Sequence, residues 1–282
     1  MTWKLQHKWV RTECGEIAYL DEGTGPPIVL VHGAPLTSLG FGRVIAGLRD
    51  RHRVLALDLP GFGQSSPSDA FAFSLSGYAA AVVAFCRALS LSKFVLLGFD
   101  ASGSVVLSAA AQLRASLSGI VLADTVPIPL VGRARLVRWI LVLVTSRWIR
   151  WLNRRFNLLP WLVTTIAPFR RCLPQSARRQ LQDQFATPSQ RERILDWFSM
   201  MARDHAFMVR TAAEAKDLRE LPTLILLGQF DPVRAVGAVP RFRALLPRAR
   251  THVIPWEEHF PILAEGRAIA DEIAAWHAAE VR

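Results

Sequence analysis

Lys93-Phe-Val-Leu-Leu-Gly-Phe-Asp-Ala-Ser-Gly103 is the stretch that decides the reading of this chain. Its first half is an unbroken apolar run, as expected of a strand buried on both faces. Its second half turns through Gly98-Phe99-Asp100-Ala101-Ser102 into a helical stretch. A sharp strand-to-helix turn crowds the backbone of its central residue, so small residues stand two places before and after it. The central side chain is then held above the sheet edge. The N–H groups at the helix start favour an anion there. Here that residue is Asp100. Centring the turn on Ser102 fails, because Asp100 would then occupy a position that needs a small residue. The competing local reading makes Asp100 an ordinary helix N-cap.

Outward from this stretch, similar apolar runs cover 27–32, 53–58, 119–124, 222–228 and 251–255. Helix-like stretches at 75–89, 101–114, 239–246 and 262–281 alternate with them. This rhythm predicts an α/β fold with a mostly parallel sheet. Runs 7–13 and 16–21, separated by Cys14-Gly15, predict an antiparallel hairpin at the sheet edge. The rhythm breaks over 127–215, which is helical in character and holds five of the nine tryptophans. The predicted organisation is a core over 1–126, a helical lid over 127–215 and a second core portion over 216–282. The lid is expected over the carboxyl ends of the strands, where open α/β sheets bind ligands.

Two partners follow Asp100 in the chain order of nucleophile, acid and histidine. Asp231 stands after the run ending at Gly228, and His259 stands after the last run, in Trp256-Glu-Glu-His-Phe-Pro261. Asp231 also fits a turn residue, because Asp-Pro starts turns. Asp124, after the preceding strand, is the alternative acid. Upstream, Val31-His-Gly-Ala-Pro35 follows a strand and brings the Ala34 backbone N–H towards the turn, with Ala101 N–H as a second donor to an oxyanion. His7, His32, His52, His252 and His277 read as structural, and Glu257 and Glu258 as solvated.

These segments together resemble the α/β-hydrolase superfamily over essentially the whole chain. Within it they resemble the branch with an aspartate nucleophile, which includes haloalkane dehalogenases, epoxide hydrolases and haloacetate dehalogenases. His32-Gly-Ala-Pro-Leu-Thr-Ser38 and Asp58-Leu-Pro-Gly-Phe-Gly63 are most like the dehalogenase pattern. The resemblance implies an eight-stranded sheet with a cap, no cofactor and no metal, and a two-step reaction on a small hydrophobic or lipid-like substrate. Asp100 attacks an electrophilic carbon to give an alkyl-enzyme ester. His259, oriented by Asp231, activates the water that hydrolyses it. The N–H groups of Ala34 and Ala101 stabilise the oxyanion. A carboxylate suits this role, since it is ionised near neutral pH without a base and its alkyl ester is hydrolysable.

The chain departs from these relatives at the leaving group. Dehalogenases usually carry Trp after the nucleophile and Asn between the Gly and Pro of the upstream loop. Here the two positions are Ala101 and Ala34. Haloacetate dehalogenases usually carry Arg at the position of Ala101. Epoxide hydrolases use lid tyrosines, whereas Tyr19 and Tyr78 both lie outside 127–215. A replacement donor is expected from the lid, among Trp139, Trp148, Trp151, Trp161 and Trp197, or His205 or an arginine. The departure keeps two other enzyme readings open: an epoxide hydrolase with an atypical acid, and a non-hydrolytic lyase, isomerase or cyclase.

The chain has 282 residues and a net charge of +11. Residues 127–215 hold 15 arginines and five acids, so about +10 of the charge sits in the proposed lid. Two readings fit: a lid with an arginine outer face, or peripheral contact with an anionic membrane. The latter extends to a non-catalytic membrane-associated binding protein. No nucleic-acid module accompanies the charge, so nucleic acid is not expected as a partner. Three scattered cysteines and no apolar leader predict a cytoplasmic protein. The oligomeric state has no sequence signature.

Overall fold

Alternate residues of each central strand face opposite sides, and both sides are buried. Val29, Leu55, Leu96 and Ile120 belong to one apolar cluster. Their neighbours Ile28, Val54, Val95 and Val121 belong to another. A sheet covered on both faces needs near-continuous apolar strands, which explains the runs in the sequence. The computed structural model describes residues 5–125, 128–165, 185, 187–255 and 261–281.

The strands are β1 His7–Thr12, β2 Gly15–Glu22, β3 Pro27–Val31, β4 Arg53–Leu57, β5 Ser66–Pro67, β6 Phe94–Phe99, β7 Leu117–Ala123, β8 Thr223–Gly228 and β9 Arg250–Ile254. Eight lie in the order β1-β2-β4-β3-β6-β7-β8-β9. From β4 to β9 the pairs along this order are parallel. The predicted hairpin is β1–β2, antiparallel at the edge, with Thr12 opposite Gly15. The ninth strand is the two-residue β5, which pairs with β2 and was too short to show in the sequence pattern.

Helices Leu75–Ala88 and Gly103–Gln112 cover the first face, and Gly42–Leu48 and Gly266–Glu280 the second. Between β7 and β8 the described residues hold no strand. They form the helices Arg135–Val144, Arg147–Phe156, Leu158–Thr165, Pro188–Arg203 and His205–Glu214. Pro188–Arg203 starts in a capping box: Gln190 N–H donates to Thr187 Oγ1, and Thr187 N–H donates to Gln190 Oε1. This helix packs on Leu75–Ala88, and His205–Glu214 packs on Gly103–Gln112, so the helical segment rests on the first face of the sheet.

On the second face the rings of His52 and His277 meet edge-on with centroids 4.8 Å apart. Burial first, then the charges of His277 and Arg51, hold the His52 imidazole down to about 4. The unfolded chain binds that proton near the ordinary value of about 6.5. Stability from this group is therefore full above about pH 6.5 and is lost as pH falls towards 4, on the order of 2 kcal/mol once solvent screening of the ring is allowed for. Urea unfolding at a series of pH values is expected to show this slope, and His52→Gln to flatten it. An unchanged slope in the variant would place the acid sensitivity elsewhere.

Candidate active site

Strand β6 ends at Phe99 and passes directly into a 3-10 turn, Asp100–Ser102, and then into the helix Gly103–Gln112. Asp100 has φ of +51°. This left-handed conformation is tolerated best by Gly, Asn and Asp, and strains other residues by about 1–3 kcal/mol. Its side chain is nearly buried. The small residues on either side have identifiable tasks. A Cβ on Gly98 would lie 2.9 Å from the side chain of Val106 in the following helix. Ser102 Oγ accepts from Phe99 N–H at 3.0 Å, and its proton reaches the carbonyls of Val31 and Phe99 at 3.0 and 2.9 Å. It thus pins the turn to the end of β3. Ser102→Ala would remove this buried set of hydrogen bonds between the turn and β3, at about 1–3 kcal/mol. A lowered melting temperature is expected by calorimetry, and an unchanged one would show that the pin is dispensable.

The upstream loop lies against this turn because Val31 of β3 pairs with Gly98 of β6. A Cβ on Gly33 would stand 2.6 Å from both Asp100 Oδ2 and Phe99 O. Only bare backbone fits there, and it brings the loop onto the carboxylate. Ala34 and Ala101 are both buried beside it. Ala101 is in the first turn of a helical stretch, whose early N–H groups have no intrahelical acceptor. His32 is structural, as expected. Its Nε2 accepts from Leu59 N–H at 3.0 Å, so Nδ1 carries the proton and donates to Gly33 O at 3.1 Å. Burial holds this ring neutral by lowering its pKa, and the nearby Asp58 only partly opposes that.

Asp58, the first residue of the dehalogenase-like segment Asp58–Gly63, is a scaffold residue. Its carboxylate accepts from Ser38 N–H at 2.7 Å and Gln64 N–H at 2.9 Å, and His7 Nε2 lies 3.5 Å away. Burial raises its pKa, but His7, His32 and the two backbone donors outweigh this and hold it below the usual carboxylate range. The signal for it was Gly63, whose φ of +52° lets the backbone close over the carboxylate.

Both candidate acids stand at the same carboxyl edge. Phe99 pairs with Ala123, so Asp124 leaves β7 one strand away from Asp100. Asp124 is fully buried with φ of +45°, and its Oδ1 accepts from Gly228 N–H at 2.8 Å. Asp231 comes three residues after β8 and is also buried. Its Oδ1 caps the short helix Pro232–Ala235 by accepting from Val233 N–H at 2.8 Å. The turn role expected of Asp-Pro is thus met by Asp231, at the carboxyl end of β8. His259 lies outside the described residues, with Glu257 and Glu258. The nearest described elements are β9, whose Ile254 pairs with Gly228, and the helix Pro261–Ala264.

Residues 26–265 match the alpha/beta hydrolase fold family. The chain belongs to that family. Haloalkane dehalogenase 2 of Mycobacterium tuberculosis is 35% identical over 121 residues, which is 43% of this chain and 42% of that protein. The chain thus spans about two fifths of the length of that curated relative. The cis-3-alkyl-4-alkyloxetan-2-one decarboxylase of Shewanella oneidensis is 23% identical over 256 residues, 84% of this chain and 77% of that protein. Among solved structures, the haloalkane dehalogenase DbeA of Bradyrhizobium elkani superposes with a TM-score of 0.81 at 17% identity. It covers 98% of this chain and 100% of its own, a likeness of fold.

In this alpha/beta hydrolase the five tryptophans of 127–215 separate cleanly. Trp139, Trp148, Trp151 and Trp161 are exposed, and Trp197 is buried. Trp197 packs on Tyr78 with ring centroids 4.4 Å apart and edge-on to Phe62 at 5.7 Å. Phe62 in turn meets His32 of the upstream loop at 5.3 Å. Trp197 Nε1 and Tyr78 Oη are buried donors with no hydrogen-bond partner among the described residues. Burial pushes the Tyr78 hydroxyl well above its usual pKa, so it is a donor throughout the working range. Sequence reading had set Tyr78 aside as lying outside the lid. The aromatic run of Phe71, Phe73 and Tyr78 was the available signal.

Proposed function

We propose that this alpha/beta hydrolase forms a covalent ester between Asp100 and an alkyl carbon of a small apolar substrate, and then hydrolyses it. One observation carries the reading: Asp100 sits at φ +51° with its carboxylate against the bare backbone of Gly33. In the first step an Asp100 oxygen bonds to carbon while the carbon's bond to its leaving group breaks, and that electron pair departs with the leaving group. In the second, a water oxygen adds to the Asp100 carbonyl carbon as His259 takes the proton. The alcohol leaves with the oxygen that came from Asp100. Asp231 orients His259, with Asp124 as the alternative partner. The Ala34 and Ala101 N–H groups receive the negative oxygen of the tetrahedral intermediate. Residues 127–215 form the lid, and Trp197 is its best-placed donor to a leaving group, since the other four tryptophans are exposed.

A second reading is favoured by the match to the oxetan-2-one decarboxylase, which extends over 84% of this chain, and by Ala34 and Ala101. An oxetan-2-one opened at its alkyl carbon releases a carboxylate that stays in the same molecule, so no halide donor is needed. Loss of carbon dioxide then gives an alkene and regenerates Asp100, with no water consumed.

A panel of alkyl halides, epoxides, haloacids, esters and β-lactones, with product analysis, tests both. An alcohol or diol supports hydrolysis, and an alkene with carbon dioxide supports the second reading. An enzyme that turns over esters alone would contradict both, because acyl transfer to a carboxylate gives an anhydride. Trp197→Phe keeps the packing and removes the N–H. It is expected to lower kcat by about 10-fold or more if that group holds the leaving group, and an unchanged kcat would assign Trp197 to packing alone.

A further inference from the structure

Helix Arg135–Val144 is apolar on two faces. Val137 and Leu141 pack against the first core cluster. Leu136, Trp139, Ile140 and Leu143 recur at the spacing of one helix face, and all four point into solvent. Trp139 and Leu143 are each 69% exposed. The next helix, Arg147–Phe156, repeats the arrangement, with Trp148 71% and Trp151 58% exposed. Phe156 and Trp161 extend it. Both helices pack inward on Pro188–Arg203. An exposed apolar surface of this size marks a contact site.

The charge of these helices indicates what they contact. Residues 133–156 carry seven arginines and no acid, and no carboxylate occurs between Asp124 and Asp183. Arg138 is turned inward to Ala202 O, Arg150 to Asp196, and Arg154 to Glu192. Arg133, Arg135, Arg147 and Arg155 have no carboxylate within ion-pair distance among the described residues. Arg147 and Arg155 instead lie over the rings of Trp148 and Phe156. An apolar face rich in tryptophan and flanked by arginines suits the boundary between lipid headgroups and acyl chains. Among the described residues no helix is long and apolar enough to cross a membrane, and Arg135–Val144 is only about 15 Å long. A second copy would set arginines against arginines.

We infer that the face formed by Arg135–Val144 and Arg147–Phe156 docks on an anionic phospholipid surface, with Trp139, Leu143 and Trp148 inserted at the headgroup level. This inference is independent of the chemistry at Asp100. It would bring the helical segment of the protein against the bilayer in which an apolar substrate dissolves.

The test is co-sedimentation of the full chain with phosphatidylcholine vesicles, with and without phosphatidylglycerol. Binding is expected only with phosphatidylglycerol, with a blue shift of tryptophan emission and weakening at high salt. Arg135→Gln/Arg147→Gln/Arg155→Gln is expected to bind about fivefold more weakly per arginine, roughly a hundredfold together. Trp139→Gln/Leu143→Gln/Trp148→Gln is expected to abolish binding. All six side chains are exposed, so both variants should melt as the parent does. Absence of binding, equal binding to both vesicle types, or full binding by either variant would overturn the proposal. So would self-association that the apolar variant abolishes, which would assign the face to a second copy.

Discussion

Asp100→Asn is expected to reduce kcat/KM by at least about 10⁴-fold on any substrate the protein turns over, with the fold intact. Asparagine keeps the size of the side chain and tolerates the left-handed backbone at this position, where φ is +51°. Alanine would add backbone strain and confuse loss of chemistry with loss of structure. The amide lacks the anionic oxygen that must displace the leaving group. The melting temperature should stay within about 4 °C of the parent, which corresponds to under roughly 1–2 kcal/mol for a chain of this size. Steady-state kinetics beside calorimetry checks this. A variant with near-parental kcat/KM would remove Asp100 from the mechanism and leave its position as that of a helix cap.

His259→Gln is expected to separate the two steps. The carboxylate needs no base to attack carbon, so the variant should consume one equivalent of substrate and stop. The protein would then carry the alkyl group as a stable ester on Asp100. Intact-protein mass spectrometry should show a gain equal to the transferred group, with steady-state kcat reduced by about 10³-fold or more. A variant that neither turns over nor gains mass would place His259 in the first step, whereas one that keeps parental turnover would favour the non-hydrolytic reading, in which His259 activates no water. Asp231→Asn and Asp124→Asn, compared in the same assay, identify the acid that orients the imidazole: its variant should form the same ester at the parental rate and hydrolyse it more slowly.

The parts of this fold legible in the sequence were those set by local spacing. Strand β6 and the turn at Asp100 follow from an apolar run ending in small residues, and the structure places Gly98 and Ser102 in contacts that require their size. The parts missed depend on distant chain. Helix Gly42–Leu48 starts on one glycine and contains another, so its propensity is poor. It forms because Gly47 lies against Ala270 of the C-terminal helix, where a Cβ would come within 2.5 Å of another. The predicted helix over 262–281 is two helices, parted at Glu265, because Gly266 is where the chain comes up against Arg43.

Within the candidate site, the turn at Asp100 and the upstream loop were legible, and the choice between the two candidate acids was not. Asp124 and Asp231 each follow a buried strand, and each accepts a backbone N–H at 2.8 Å. Nothing local separates them, because the orienting role depends on where an imidazole stands across the edge. The tryptophans show the same limit. All five in 127–215 look alike as sequence, yet only Trp197 turns inward, onto Tyr78 and Phe62. The charge was legible in amount and place. Its setting was not: only the structure shows four apolar residues of one helix face in solvent, beside arginines that have no carboxylate within ion-pair distance among the described residues.

The most direct test of the covalent mechanism is a single turnover in water labelled with oxygen-18, followed by mass analysis of the peptide containing Asp100. Attack by the carboxylate and hydrolysis at its carbonyl carbon predict that the label enters the Asp100 side chain, while the first alcohol released carries unlabelled oxygen. Label found only in the product, with the Asp100 peptide unlabelled after repeated turnovers, would contradict the account.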